Sequence, residues 1–316
     1  MTLVSPTSEN LDRAAALLRA GGVVAIPTET VYGLAASALD AIAVARIFEI
    51  KERPAFDPLI VHVLDDAMLA RVAEDIPERA RVLAARFWPG PLTLVLRKAA
   101  SIPDLVTSGL STVAVRMPAH PVARALLARA GVPLAAPSAN RFGRLSPTRA
   151  EHVVNQLGDR VDCIVDGGRS EHGLESTILA LEPQVTLLRA GAIPVEALED
   201  VVGSIGIDLS SGGSPVAPGQ LARHYAPRTP LRIVEDFVPE AMRTGAAFIG
   251  MSQAPPGYAQ VRLLSPSGDL RAAAAQLFET LHELDERGLQ RIDVAPVPER
   301  GLGVAIMDRL RRAAAR

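Results

Sequence analysis

Pro27-Thr28-Glu29-Thr30-Val31-Tyr32-Gly33-Leu34 is the most informative stretch of this chain. It follows Gly21-Gly22-Val23-Val24-Ala25-Ile26, a short apolar run behind a glycine turn, which reads as a strand. It precedes Asp40 to Ile50, where Ala, Ile and Val recur at helical spacing. A strand therefore ends in a stiff, Pro-led loop dense in hydroxyls, with one carboxylate and one phenol. Loops at strand ends are where open α/β sheets bind ligands. A loop that only reversed the chain would need turn residues rather than this polar set. Lys51-Glu52-Arg53-Pro54 then brings two cations from the end of the helix.

The rest of the chain sets bounds. At 316 residues it exceeds the size at which one core usually stops growing, so two domains are expected. A formal net charge of −2 gives no general pull toward nucleic acid or an acidic membrane. The single cysteine, Cys163, excludes an intrachain disulfide framework and sits in an apolar run as a small buried hydrophobe. Met1 to Asn10 lacks a basic segment followed by an apolar core, so no secretory signal is expected. No apolar run approaches the roughly 20 residues that span a bilayer. A soluble, cytoplasmic protein with no membrane partner is the simplest expectation.

Strands and helices alternate along the first two thirds. Helices are expected at Leu11 to Ala20, capped by Ser8 or Asn10, at Asp40 to Ile50, Pro77 to Phe87, His120 to Gly131 and Thr148 to Leu157. Strands are expected at 58–63, 92–96, 112–116, 134–136, 163–165, 176–179 and 185–188. Thr148 with Glu151 has the spacing of a capping box. After Val201 the composition turns to Ser, Gly and Pro, which marks a linker. Strands at 246–250 and 261–264, and helices from Asp269 and Val304, then form a small α/β unit. We expect an α/β fold, a mixed sheet covered by helices, over 1–203. A linker follows over 204–230, and a second α/β domain over 231–316.

Polar groups recur at strand ends. Thr112 and Arg116 share one face of a strand by period two. Arg116 lies among Val113, Ala114, Val115, Met117 and Pro118, where a cation needs an anion, either a protein carboxylate or a ligand. Pro137-Ser138-Ala139-Asn140 and Ser146 offer small polar groups that let a ligand approach the backbone. Ser176 and Arg189 add a hydroxyl and a cation. Arg223-His224-Tyr225-Ala226-Pro227 is a basic, aromatic cluster inside linker composition, which suggests that the linker docks on something. No phosphate-loop motif, dinucleotide fingerprint or zinc spacing is present.

These motifs, in this order, resemble the long form of the threonylcarbamoyl-AMP synthase family. In that form a YrdC-type domain is followed by a smaller, Rossmann-like C-terminal domain. The resemblance rests on Pro27 to Leu34, Lys51-x-Arg53-Pro54, Pro58 to His62, Trp88 to Thr93, Val113 to Pro118, Ala136 to Asn140 and Gly173-x-Glu175-Ser176-Thr177. Pro218-Gly219 through Pro227 and Gly301 to Met307 extend it to nearly the whole chain. It implies that L-threonine, bicarbonate or CO2, and ATP carried with Mg2+ are joined into threonylcarbamoyl-AMP with release of pyrophosphate. The product would pass to a tRNA-modifying transferase complex, with tRNA met only indirectly. Carried over residue by residue, it places threonine against Thr30, His62, Arg116, Ala136 and Ser176. It places ATP against Arg53, Asp57, Thr112, Ser138, Ser146, Arg189 and Tyr225. Lys51, Arg53 and Arg116 are the expected catalytic cations, Lys51 on the phosphate side, and Tyr225 rides on a linker that closes as a lid. Asp57 stands where the family often has Asn, and Ala217-Pro218-Gly219-Gln220 replaces the usual Ser-Pro-Gly-Met. Two other readings are a double-stranded RNA-binding module and a carbamoyltransferase using carbamoyl phosphate.

Overall fold

The polar loop does not lead directly to a helix. It is the turn of an antiparallel pair, because Gly33 to Ser37 returns as a strand against the first one. This strand is not among those expected from the sequence. Gly33-Leu34-Ala35-Ala36-Ser37 has no β-branched residue, so its strand character comes from burial between neighbours rather than from propensity.

The computed structural model describes residues 2–209, 215–235 and 238–315. Part of the expected linker, 210–214, lies outside the described residues. The first unit runs β1 (Thr2–Val4), α1 (Ser8–Arg19), β2 (Val24–Ile26), β3 (Gly33–Ser37), α2 (Ala41–Lys51), β4 (Ile60–His62), α3 (Asp66–Leu69), β5 (Ala73–Glu74), α4 (Glu78–Phe87) and β6 (Leu92–Lys98). It continues with α5 (Asp104–Thr107), β7 (Thr112–Arg116), α6 (Pro121–Ala130), β8 (Leu134–Ala135), α7 (Ala150–Leu157), β9 (Cys163–Val165), β10 (Thr177–Ala180), β11 (Thr186–Arg189), α8 (Val195–Val202) and β12 (Gly206–Ile207). All twelve strands join one mixed sheet in the order β1-β9-β2-β3-β8-β4-β7-β6-β10-β11-β12, with β5 paired to β6. Strands β2, β3 and β4 are buried along their whole length, which explains why they are apolar except for Ser37 and His62 at the ends of β3 and β4. The sheet takes in Gly206–Ile207, past residue 203.

A second sheet, all parallel, is built from β13 (Leu231–Ile233), β14 (Ala246–Gly250), β15 (Gln260–Leu263) and β16 (Arg291–Val294), in the order β13-β16-β14-β15. Helices α9 (Leu270–Asp285) and α10 (Leu302–Ala314) accompany it. Both dock on the first unit. On α9, Glu279 pairs with Arg149 at 2.7 Å, and the His282 ring stacks on His152 at 3.8 Å between centroids. From α10, Arg309 reaches Glu175 at 2.8 Å.

Two caps differ from expectation. Thr7, not Ser8 or Asn10, caps α1, its hydroxyl accepting from Asn10 N. Thr148 forms no capping box, because α7 starts later and the His152 ring takes the Thr148 N–H instead.

Candidate active site

Strands β4 and β7 run parallel with His62 level with Arg116. That register brings an imidazole and a guanidinium to the same sheet end, facing the β2–β3 loop. Arg116 is 3% exposed, so its five N–H donors need partners. Its Nε donates to Gly90 O (3.1 Å), Nη1 to Thr30 Oγ1 (2.8 Å) and Nη2 to Glu29 Oε1 (2.5 Å). The anion that the apolar setting of Arg116 demands is therefore Glu29, from the Pro27 to Leu34 loop. Those bonds use three donors, and the remaining N–H capacity faces a cavity.

The cavity measures about 50 Å³ and is lined by Thr30, Arg53, His62, Arg116, Ser176, Arg189 and Tyr225, among others. Ala136 and Ser138 line it too, as expected from the Ala136-Pro137-Ser138 motif. Ser176 shares a 2.7 Å hydrogen bond with Thr93 and accepts from Arg189 Nη2 at 3.0 Å. A larger cavity of about 250 Å³ lies among Leu69, Ala80, Ala84, Leu94, Leu96 and Met117. Asp66 and Arg81 also line it, but it holds none of the residues of the strand-end motifs apart from Trp88 and Met117.

Four expected site residues do not line the cavity. Lys51 lies behind its wall, 1% exposed, with Nζ donating to Ser138 O (2.5 Å) and Asn140 O (2.6 Å). It props the Ser138 loop from behind. Burial, then the charge of Arg53, lowers its pKa well below the ordinary lysine value. Asp57 is fully buried and sits 2.9 Å from Arg53, yet off the hydrogen-bond direction, so neither carboxylate oxygen receives a donor. Arg53 donates instead to Asp57 O and Pro58 O. Burial raises the Asp57 pKa, against the opposing charges of Arg53, Lys51 and Arg189. Ser146 is buried and donates to Glu175 Oε1. Thr112 opens β7 opposite Arg97, at the other end of that strand from Arg116.

Three more residues join the site, each inside a motif singled out in the sequence but given no contact there. Thr28 bonds the Thr30 hydroxyl at 2.8 Å and so fixes the group that receives Arg116. Glu175 lines the cavity, and burial is outweighed by Arg309 and Arg189, which lower its pKa. His224 lines it as well, its ring edge-on to Phe142 and Tyr225. Burial and the nearby charges of Arg53, Lys51, Arg309 and Arg189 hold His224 neutral. The sequence signal for His224 is the basic, aromatic cluster from Arg223 to Pro227.

The linker forms the roof. Pro218 O accepts from Arg189 Nη1 at 3.2 Å. Gly219 has φ +87, and a Cβ there would approach Tyr225 Oη to 2.6 Å, so glycine is required. Gln220 closes this turn, its side-chain oxygen accepting from Val216 N and Ala217 N. The departure from the family pattern at Gln220 thus has a local use. Tyr225 is 1% exposed with φ +59, a conformation that non-glycine residues rarely hold without a surrounding structure that imposes it. Its hydroxyl is buried and finds no hydrogen-bond partner among the described residues.

Acid should destabilise this fold early. Burial, and then Arg116, hold the His62 pKa at about 3, and burial with His282 and Arg149 does the same for His152. The unfolded chain's histidines take up protons from about pH 6.5 downward. Between those values the unfolded state binds more protons, so stability falls as pH falls. Glu29 adds a lower window: burial would raise its pKa, but Arg116 and backbone hydrogen bonds hold it at about 2. The urea midpoint should drop from pH 7 to pH 4.5, and again toward pH 3. A midpoint constant from pH 7 to 4.5 would contradict the buried neutral imidazoles.

A cation-rich cavity at a sheet end, roofed by an interdomain linker, defines a two-domain α/β enzyme for small anionic substrates. A family profile described as telomere recombination, covering the Sua5, YciO and YrdC proteins, matches residues 16–191. A second, described as the threonylcarbamoyl-AMP synthase C-terminal domain, matches residues 193–315. The threonylcarbamoyl-AMP synthase of Pyrococcus abyssi is 42% identical, over 99% of this chain and 98% of its own length. That of Bacillus subtilis is 41% identical, over 98% and 94%. The crystal structure of P. abyssi Sua5 complexed with L-threonine superposes with a TM-score of 0.92 at 41% identity, over 99% of this chain and 97% of that one. This chain belongs to the threonylcarbamoyl-AMP synthase family. It is an enzyme that makes an AMP-linked threonylcarbamoyl product from L-threonine and ATP.

Proposed function

We propose that the cavity holds both substrates, with threonine on the Arg116 side and the nucleotide under the linker. The observation that carries this reading is the convergence of Thr30, His62, Arg116 and Ser176 with Arg53, Arg189 and Tyr225 on one buried cavity. Ala136 allows close approach on the threonine side, and Ser138 does so on the nucleotide side. Arg116 has N–H groups left over for a carboxylate after Glu29, Thr30 and Gly90 are served. Lys51, Asp57 and Ser146 act one step back, through the Ser138 loop, Arg53 and Glu175. For Thr112 the structure offers no contact that gives it a role.

Bicarbonate loses water to give CO2, taking up one proton, and the neutral threonine amine adds to that CO2 to form a carbamate, releasing one proton. A carbamate oxygen attacks the α-phosphorus of ATP, and the α–β bridging oxygen leaves with pyrophosphate. This step needs positioning and charge stabilisation more than a covalent nucleophile. A neutral His62 beside a permanently charged Arg116 suits an amine that must lose its proton before it reacts. ATP enters as its Mg2+ complex, the ion riding on phosphates and water as Mg2+ usually does.

Pro218, Gly219, His224 and Tyr225 of the linker line the same cavity as Arg53 and Arg189. The linker is placed to close over the nucleotide, excluding water from a hydrolysable product. In this reading the expected three parts hold with one shift: the catalytic unit runs on through Ile207, residues 215–230 act as the lid, and 231–316 support it. The product goes on to a tRNA-modifying transferase in the cytoplasm. No helix among the described residues is long and apolar enough to cross a membrane. Similarity along the full chain, lid and C-terminal domain included, favours the synthase over an RNA-binding module or a carbamoyltransferase. The test is the product itself. With ¹³C-bicarbonate, L-threonine and MgATP, mass spectrometry should find one labelled carbon in the adenylate, and an unlabelled product would overturn the carbon source.

A further inference from the structure

Arg309 on α10 is the largest side chain fully buried among the described residues, and it belongs to the second domain. Its Nε donates to Glu175 Oε2 at 2.8 Å and its Nη2 to Ala190 O at 2.9 Å. Its guanidinium carbon lies 4.8 Å from the centroid of the Tyr225 ring, within cation–π range. The same group thus touches a carboxylate that lines the cavity and the aromatic ring that roofs it. Glu175 in turn receives the Ser146 hydroxyl.

One turn further along α10, Arg312 donates to Leu221 O (2.6 Å) and Leu209 O (2.9 Å). Its own carbonyl accepts from His224 N at 3.3 Å. Helix α10 therefore grips the roof segment at the Leu221 and His224 backbone and at the Tyr225 ring. Asp308 braces both arginines, at 2.5 Å from Arg309 and 2.9 Å from Arg312.

We infer that Arg309 is a positioning residue for the synthase reaction, acting from the C-terminal domain through Tyr225 and Glu175. It sets the closed position of the roof and ties that position to the carboxylate beneath it. The second domain would then be a working part of the site rather than a weight on the end of the linker. A planar, always-charged group is suited to this, because it can donate in its plane while its face meets a ring.

The inference rests on the reading of Tyr225 as the nucleotide's lid, and the experiment separates the two. Arg309→Lys keeps the charge but removes the fork and the flat face. In the full chain it should raise KM for ATP about tenfold, the effect of removing one charge-assisted hydrogen bond. L-Threonine affinity measured without ATP should stay within about twofold, and release of pyrophosphate without recovered adenylate should increase. In a Tyr225→Ala background the same lysine substitution should change KM for ATP by less than about twofold, since its partner is gone. Independent, multiplying effects of the two substitutions would overturn the positioning role. So would a parallel loss of both substrates' affinities with a lowered melting temperature, which marks a purely structural arginine. If Tyr225→Ala alone leaves KM for ATP unchanged, the lid reading itself has failed. Arg309→Gln, which keeps a donor toward Glu175 without the charge, is judged by the same criteria should the lysine variant not fold.

Discussion

Arg116→Ala should lower L-threonine affinity about ten- to a hundredfold, the cost of losing a charge-assisted hydrogen bond to a carboxylate. It should also destabilise the protein by about 3–5 kcal/mol, because Glu29 is left charged and buried without its partner. The two effects have different origins and can be separated. Glu29→Gln added to Arg116→Ala removes the uncompensated charge, so most of the lost stability should return while threonine affinity stays low. Calorimetric titration with L-threonine and urea unfolding of the single and double variants measure both. A double variant that binds threonine as tightly as the unaltered protein would assign Arg116 to the scaffold. The Thr30 hydroxyl belongs to the same unit, since it accepts from Arg116 and is itself fixed by Thr28.

Tyr225→Ala should raise KM for ATP about tenfold or more and increase loss of the adenylate to water, since lid residues set closure as well as affinity. Its stability cost should also be appreciable. Tyr225 is buried against Phe278 and His224, so truncation leaves a hole between linker and second domain. Tyr225→Phe isolates the hydroxyl. That hydroxyl has no hydrogen-bond partner among the described residues, so its removal should cost no stability and can even add some. If it meets the nucleotide, KM for ATP should still rise by about two- to tenfold, the range of one neutral hydrogen bond. A phenylalanine variant with unchanged KM would limit Tyr225 to shape alone.

Much of the site is legible in the sequence because its residues cluster at strand ends and keep a fixed local order. The Pro27 to Leu34 loop stands out by its hydroxyls alone, and Arg116 by the cost of a cation in an apolar strand. Its partner is not legible, since Glu29 and Arg116 are far apart in the chain and only the folded sheet brings them together. Lys51 resembles a phosphate ligand because composition shows a charge and not where it points; it faces two backbone carbonyls. Strand β3 is hidden by its Gly and Ala content. Arg309 stands beside Arg311 and Arg312, and no local pattern marks which face of α10 turns inward. Arg311 pairs with Glu299 at the surface, while Arg309 is sealed between the domains.

The most direct test of a cavity that joins threonine to a nucleotide is pyrophosphate release from MgATP and bicarbonate, measured with and without L-threonine in the full-length protein. Release should depend on threonine, saturate with it and be matched by threonylcarbamoyl-AMP. Pyrophosphate released at the same rate without threonine would contradict a cavity shared by the two substrates.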